Sequence, residues 1–356
     1  MKIIEFKKIK SQIAFTLVLI FVLSSVQGCS SKSKESSETT ATSTDVTISA
    51  EPTYAPLDIR AGVNTSGLAY PFYVAKETGI FEKYNLNVTI DSYASGGETI
   101  DALSLKTEDI AVGADYAVAI RLVEGSSLRV ISNFAYADNA QSQLYVTDES
   151  IKTPSDLTGK RIGVKKGTVN EYTWAKLFEN FNVDPSTVKE VNLSSDAELI
   201  TAFANEDIDA LWVSDVFLPN LKEVVKNPIG IGDINISGTK NKSYLLIDNT
   251  FIESNKEGSE RFLKAFGEAV DYLGSNPEDA AKIIASSMTI DYDTALGDIK
   301  NYIYDAAFTQ EGYDYLKEVA DWAIKNGVTA TSYDIADYVD LGLINDVFPD
   351  KESAQK

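Results

Sequence analysis

The stretch LDIRAGVNTSGLAYPFYVAKETGIFEKYNLNVTIDS, residues 57–92, contains one full repeat of the pattern that organises the chain. Its two ends, 57–63 and 86–92, are strand-like, and segment 70–77 between them has the apolar spacing of a helix. The same order continues with helices at 99–106 and 117–123 and strands at 110–112 and 128–134. Alternating strands and helices predict a mostly parallel sheet flanked by helices.

A second series of this kind follows. Its strands are predicted at 143–146, 161–164, 188–192 and 210–213, and its helices at 170–181 and 197–204. After a strand at 244–247 the pattern predicts helices only, among them 292–304, 311–325 and 333–339. Phe262, Phe266 and Val270 recur every four residues, which predicts a helix with one buried face. The expected fold is therefore α/β in two lobes, with a C-terminal helical section.

Composition excludes several classes of function. The 356 residues include 53 acidic and 32 basic side chains, a net charge of -21, so the surface would repel nucleic acid. There is no His, which removes the usual nucleophile systems and His-based metal sites. The single Cys rules out an intrachain disulfide. No nucleotide-binding glycine motif occurs. We therefore expect no catalytic residues, cofactor or metal, and a protein that is not an enzyme.

The first 28 residues have the layout of a secretory signal, with four Lys before an apolar run at 13–26. The run ends in Val26-Gln27-Gly28-Cys29, which resembles the lipobox of bacterial lipoproteins, where the Cys is lipidated. A plain signal peptide with an incidental Cys is the alternative. Residues 29–56 are rich in Ser, Thr and charge, so they indicate a flexible tether. This predicts a body anchored through Cys29 at the extracytoplasmic face of a bacterial membrane.

Ligands of open parallel sheets bind beyond the carboxyl ends of the strands. The loops there are 64–67, 95–98, 113–116, 166–170 and Ser214-Asp215, and they contain mostly small and hydroxyl residues. Tyr70 and Tyr116, near helix starts, can stack on a ligand and hydrogen-bond to it. Asp115 and Asp215 stand at strand ends, where either a ligand contact or a structural role is open. Glu98 and Glu171 fit capping boxes with Ser95 and Thr168, so helix caps explain them better than a cationic ligand.

Several ordered motifs make the chain similar to a known family. They are YVAKETGIFEKYNLNV at 73–88, ASGG at 94–97, KTPSDLTGKRIGV at 152–164, KGT at 166–168 and DALW at 209–212. The chain resembles solute-binding proteins of ABC importers of the nitrate, sulfonate and taurine type, which include binders of thiamine-pyrimidine precursors. The family often has Trp-Glu-Pro after the Asp-Ala strand, whereas Trp212 is followed here by Val213-Ser214-Asp215.

The resemblance implies a type II periplasmic-binding-protein fold, with lobe 1 at 57–142 and 244–356, lobe 2 at 143–243, and a cleft that closes around a solute. It implies a monomer that delivers the solute to an ABC permease. The ligand contacts it implies match the following residues of this chain: Ser66, Gly67, Ser95, Gly96, Gly97, Asp115, Tyr116, Thr168, Val169 and Asn170.

The class of ligand stays open at this point. Loops rich in N–H donors favour a sulfonate or similar anion, whereas Asp115, Asp215 and the tyrosines favour an amine-bearing or aminopyrimidine compound. We lean towards a neutral or amine-bearing compound. Two other functions are a sensory ectodomain and a thiamine-pyrimidine synthase-like enzyme; the chemistry of the latter is associated with a His that this chain lacks.

Overall fold

The computed structural model describes residues 54–124, 127–137, 142–214, 217–351 and 353–356. The strands are β1 (Leu57–Asn64), β2 (Leu86–Tyr93), β3 (Ile110–Ala114), β4 (Leu128–Ala137), β5 (Ser142–Val146), β6 (Arg161–Val164), β7 (Lys189–Asn192), β8 (Ala210–Ser214), β9 (Ile229–Asp233), β10 (Asn241–Asp248) and β11 (Tyr302–Tyr304). The helices are α1 (Tyr70–Glu77), α2 (Ile80–Lys83), α3 (Gly96–Ser104), α4 (Asp115–Arg121), α5 (Val169–Phe181), α6 (Asp196–Ala204), α7 (Leu218–Val224), α8 (Asn249–Ser254), α9 (Lys256–Ser275), α10 (Pro277–Met288), α11 (Tyr292–Asn301), α12 (Gln310–Lys325) and α13 (Leu341–Val347).

The strands form two sheets. The first has six strands in the order β11-β4-β10-β3-β1-β2, and the second has five in the order β7-β6-β8-β5-β9. We call the first sheet with its helices the first lobe and the second sheet with its helices the second lobe. The chain passes from the first sheet to the second between β4 and β5 and returns between β9 and β10. The expected α/β fold with two sheets is confirmed.

Most strands of each sheet run in one direction. In the first sheet β1 is parallel to β2 and β3, and β10 is antiparallel to both β3 and β4. In the second sheet β6 is parallel to β7 and β8, and β5 is antiparallel to β8 and β9. The exceptions are β5 in the second sheet and β10 and the short edge strand β11 in the first. Strands β5 and β10 are the first strands after each passage between sheets. Strands β5 and β10 each enter their sheet from the other sheet. They therefore lack the helical crossover that connects parallel neighbours within one sheet.

Each lobe has its own apolar core. In the second lobe, alternation along the strands sends Leu144 and Trp212 to one cluster of buried side chains and Tyr145 and Leu211 to another. These clusters therefore lie on opposite faces of the sheet. In the first lobe, the predicted apolar face of α9 is buried, and its Phe266 ring lies 5.2 Å from that of Phe72 in α1. The C-terminal helices thus complete the first core.

The C-terminal section differs from the expectation of helices only. The helix predicted over 292–304 ends at Asn301, and β11 pairs antiparallel with β4. The helix predicted over 333–339 is a short 3-10 turn, Ile335–Tyr338, followed by a bridge between Val339 and Val130. In both places the edge of a distant strand provides hydrogen-bond partners, which local apolar spacing does not reveal. Strand β9 and helix α13 were not predicted.

Among the described residues, no helix has the length and apolar character needed to cross a membrane. The predicted signal segment, Cys29 and the tether up to residue 53 lie outside the described residues.

Candidate functional site

The turn after β1 brings two predicted site residues, Ser66 and Gly67, to the first lobe's side of a cavity. The Ser66 hydroxyl donates to the side chain of Asn64 at 2.9 Å and accepts from the N–H of Leu68, which caps a 3-10 turn. Gly67 is closely packed, because a Cβ there would lie 3.0 Å from atoms of both Tyr302 and Tyr304. The backbone of this turn is therefore held directly against β11.

Tyr70, at the start of α1, is tied to helix α11. Its hydroxyl donates to the carboxylate of Asp298 at 2.7 Å, and its side chain is almost wholly buried. Burial raises the pKa of the Asp298 carboxyl, and the hydrogen bond from Tyr70 opposes that rise. Asp298 carries no signal in the sequence, since it lies within a helical pattern more than 200 residues from Tyr70.

These residues open onto a cavity of about 270 Å³, which we call the lobe 1 cavity. Its walls in the first lobe include Ser66, Gly67, Tyr70, Met288, Asp298 and Tyr302. The second lobe contributes Ser142, Ser214 and Phe217. The cavity is thus shared between the lobes, and its described lining combines aromatic and apolar side chains with hydroxyl and amide groups and one carboxylate.

The loop before α5 builds a second cavity from the other side. Thr168 caps α5 by accepting from the N–H of Asn170 at 3.3 Å, and its hydroxyl donates to the carbonyl of Lys165. The Asn170 side chain in turn accepts from the N–H of Lys165. The Lys165 ammonium pairs with Asp196 at 2.5 Å. This network fixes the first turn of α5, where the helix presents its positive end.

Thr168, Val169 and Asn170 line this cavity of about 200 Å³, the lobe 2 cavity. It shares Ser142, Ser214 and Asn241 with the lobe 1 cavity, and Ser142 and Ser214 are partners across the β5–β8 ladder. Trp212 also lines it, and its buried indole N–H has no acceptor among the described residues. The structure therefore brings Ser66, Gly67 and Tyr70 to one side of a cleft and Thr168, Val169 and Asn170 to the other.

Ser95, Gly96 and Gly97 lie outside the lining of these two cavities. Ser95 caps α3 by accepting from the N–H of Glu98. A Cβ on Gly96 would lie 3.0 Å from the Cα of Gly113, and one on Gly97 would lie 2.6 Å from the guanidinium of Arg121. The glycines thus allow α3 to pack closely on β3 and α4, and a ligand role for these three residues stays a prediction.

Asp115 is also absent from the lining of both cavities, because it is fully buried at the start of α4. Its two oxygens accept from the backbone N–H groups of Tyr116 at 2.6 Å and Lys242 at 3.0 Å. Burial raises the pKa of its carboxyl to about 7, although these hydrogen bonds favour the charged form. Asp115 therefore ties α4 to the strand that returns from the second lobe, and its ligand role stays a prediction.

Tyr116 joins the two lobes outside the lining of the two cavities. It is fully buried and its hydroxyl donates to Glu171 of α5 at 3.1 Å. Its ring stacks on Tyr172 at 5.8 Å, and Tyr172 meets the ring of Trp322 from α12 at 5.0 Å. Contact between the lobes therefore accounts for the burial of the Tyr116 phenol, and a ligand role for Tyr116 stays a prediction.

The capping interpretation of the acidic residues is confirmed. The carboxylate of Glu98 accepts from the N–H of Ala94 at 3.1 Å, and that of Glu171 accepts from the N–H of Gly167 at 2.8 Å. In each helix this N–H belongs to the residue before the cap, one position earlier than the capping box predicts. Asp215 lies outside the described residues.

No group of acidic or cysteine side chains within the described ranges could hold a metal ion. Sequence reasoning missed Asp298, Phe217, Met288 and Asn241 in the cavity walls. The only signal for Trp212 was its place in the DALW motif at the end of a strand.

Comparison with known proteins shows relatives of similar length and fold. A putative aliphatic sulfonates-binding protein of Bacillus subtilis (strain 168) is 23% identical over 307 residues, 83% of this chain and 90% of that protein. The periplasmic aliphatic sulphonate binding protein SsuA from Escherichia coli superposes with a TM-score of 0.66 at 16% identity, covering 85% of this chain and 94% of that one. An enzyme shares the fold, since the desulfurization enzyme DSZB gives a TM-score of 0.57 at 12% identity, covering 82% of this chain and 99% of that one.

The family model described as "NMT1/THI5 like" matches residues 69–280. This range includes the whole described lining of the lobe 2 cavity, whereas Ser66, Gly67 and the lobe 1 cavity residues after position 280 lie outside it. The match extends over more than half of the chain and includes strands of both sheets. This protein therefore belongs to the NMT1/THI5-like family, and the proteins similar to it include binding proteins for small solutes.

Proposed function

We propose that this protein is the extracytoplasmic solute-binding component of an ABC importer and captures a small organic solute by closure of its two lobes. The observation that carries the proposal is the pair of cavities that meet at Ser142, Ser214 and Asn241, between walls from both sheets. Because each lobe supplies part of the lining, a bound solute would hold the lobes together. The candidate solutes are sulfonate or taurine-like compounds and amine-bearing or aminopyrimidine compounds.

The proposal includes a lipid anchor at Cys29. The apolar run at 13–26 follows four Lys and leads directly to this single Cys. An anchor and a tether at 29–56 would keep the body beside a membrane-embedded permease. Expression of the full chain and of Cys29→Ser in a bacterium, with labelled palmitate and membrane fractionation, tests this. We expect the palmitate label on the unchanged chain only, because the apolar run at 13–26 could by itself hold the variant at the membrane. Equal label on the variant would refute the anchor.

Solute capture is tested by a thermal-shift screen of the purified protein against sulfonates, taurine, aminopyrimidines, polyamines and amino acids, followed by calorimetry. A solute at about 100 times its Kd stabilises the folded state by about 2.7 kcal/mol, which gives a measurable rise in midpoint. Small-angle scattering with and without that solute should show a more compact particle in the bound state. A screen without any shift would argue against solute capture.

Delivery to a permease is tested separately by uptake in cells. Deletion of the gene should abolish uptake of the solute that shifts the midpoint, and restored expression should recover it. Binding of the solute together with unchanged uptake would instead favour a sensory role.

A further inference from the structure

Asp298 brings a carboxylate to the wall of the lobe 1 cavity. One of its oxygens, Oδ2, accepts from the hydroxyl of Tyr70 at 2.7 Å. The tyrosine is 1% exposed and cannot turn away without leaving its packed position at the start of α1. The hydrogen bond therefore holds the carboxylate in one orientation at the cavity wall.

Within the described residues, Asp298 forms no ion pair with a lysine or arginine. Lys300, two positions later on α11, pairs instead with Glu278 at 3.9 Å. A partly buried carboxylate without a cation is energetically costly unless something supplies the missing charge. In a cavity that is lined from both lobes, a bound solute can supply that charge.

The rest of the lining fits a cation as well. The rings of Tyr70, Tyr302 and Phe217 belong to the same cavity, and aromatic faces attract ammonium and guanidinium groups. Met288 and Ile290 add apolar surface for the carbon part of a solute. Among the described lining residues of both cavities, the one basic side chain is Lys165, and Asp196 already neutralises it. The described lining therefore carries a net negative charge.

We propose that the lobe 1 cavity is the subsite for a positively charged amino or amidino group of the solute, with the Asp298 carboxylate as its counter-ion and Tyr70 as the residue that positions it. This inference rests on the proposed function and specifies the class of solute. A sulfonate group alone would meet the Asp298 carboxylate there with no cation beside it, because the other polar groups of the described lining are hydroxyls and amides. The like charge of the carboxylate opposes an anion.

The test uses three pairs of probes that differ in a cationic amino or amidino group: taurine and ethanesulfonate, 1,4-diaminobutane and 1,4-butanediol, and benzamidine and benzamide. Calorimetry compares the full-length protein with Asp298→Asn, and with Asp293→Asn as the control. Asp293 is an exposed acid on the same helix and does not line the cavity. The amide of Asp298→Asn has nearly the same shape as the carboxylate and still accepts from Tyr70.

We expect the amino member of at least one pair to bind at least about tenfold more tightly than its partner. Asp298→Asn should remove that preference, and Asp293→Asn should keep it. Tyr70→Phe, which removes a single hydroxyl and retains the carboxylate, should weaken binding of the amino probe several-fold. This variant tests the assignment even if Asp298→Asn does not fold.

The opposite results separate this inference from the proposed function. Equal or tighter binding of an amino-free probe, unchanged in Asp298→Asn, would overturn the cation subsite and leave solute capture intact. An amino preference that survives both Asp298→Asn and Tyr70→Phe would overturn the role of Asp298. Absence of binding for all six probes would overturn both proposals.

Discussion

Replacement of Asp115 by Asn tests whether this buried carboxylate is a structural tie or a ligand contact. Its oxygens accept from two backbone N–H groups, one of which belongs to Lys242 on the strand that returns from the second lobe. The groups around it are the Lys242 ammonium, which pairs with Glu311 at 3.5 Å, and the phenols of Tyr244 and Tyr315. Burial lowers the pKa of Lys242 and raises that of both phenols, while Lys240 lowers the pKa of Glu311.

The magnitude follows from the pKa of Asp115. Burial raises it from 3.8 to about 7, which corresponds to roughly 4 kcal/mol. Because the folded-state pKa lies above the unfolded-state value, the unfolded chain loses this proton first as the pH rises. The free energy of unfolding should therefore fall across the interval between these two pKa values and level off above it. Between about pH 4.5 and about pH 8, the titration of Asp115 should lower the free energy of unfolding by about 3 kcal/mol.

The assay is urea unfolding at a series of pH values, followed by tryptophan fluorescence, for the protein and for Asp115→Asn. Other carboxylates contribute to each curve, but the difference between the two proteins isolates Asp115. We expect the unchanged protein to lose about 3 kcal/mol relative to the variant between about pH 4.5 and about pH 8. Asp293→Asn controls for the loss of one carboxylate. Parallel curves would refute the reasoning, and parallel curves with weaker solute binding would make Asp115 a ligand contact.

Three further substitutions separate structural roles from ligand contacts. Gly67→Ala places a Cβ 3.0 Å from two tyrosine side chains, so unfolding experiments should show a loss of about 1–3 kcal/mol; an unchanged midpoint would show that β11 yields easily. Ser95→Ala removes the cap of α3 and should lower the free energy of unfolding by about 1 kcal/mol. Calorimetry should find an unchanged solute affinity, and a weaker affinity would make Ser95 a ligand contact. Tyr116→Phe removes the hydrogen bond to Glu171 and should cost about 0.5–1.5 kcal/mol in the same unfolding assay; full stability with weakened solute binding would contradict its role between the lobes.

The sequence predicted the order of strands and helices well where local patterns are strong. The helix at 70–77 and the strand at 161–164 have the predicted bounds, because apolar spacing and nearby turn residues act within a few positions. The prediction failed where a distant edge decides the conformation. Tyr302–Tyr304 becomes a strand because β4 offers it hydrogen-bond partners from more than 150 residues away.

The residues of the candidate site also fall into those that the sequence indicated and those that it did not. Loops at strand ends indicated Ser66, Gly67 and Thr168, since the carboxyl edge of a parallel sheet follows from strand order. Asp298 and Met288 carry no such signal, because their helices reach the cavity only through packing of the C-terminal section on the first lobe. Asp115 and Tyr116 gave a signal at a strand end, yet packing buries both.

The sequence alone thus determined the α/β class, the division into two series, the absence of His chemistry and the strongly acidic surface, because these depend on composition and short-range periodicity. Only the tertiary structure decided which loops line the cavities, where β10 and β11 insert, and that a carboxylate from α11 meets Tyr70. Those features depend on contacts between residues far apart in the chain, whose free energy is not encoded in any local pattern.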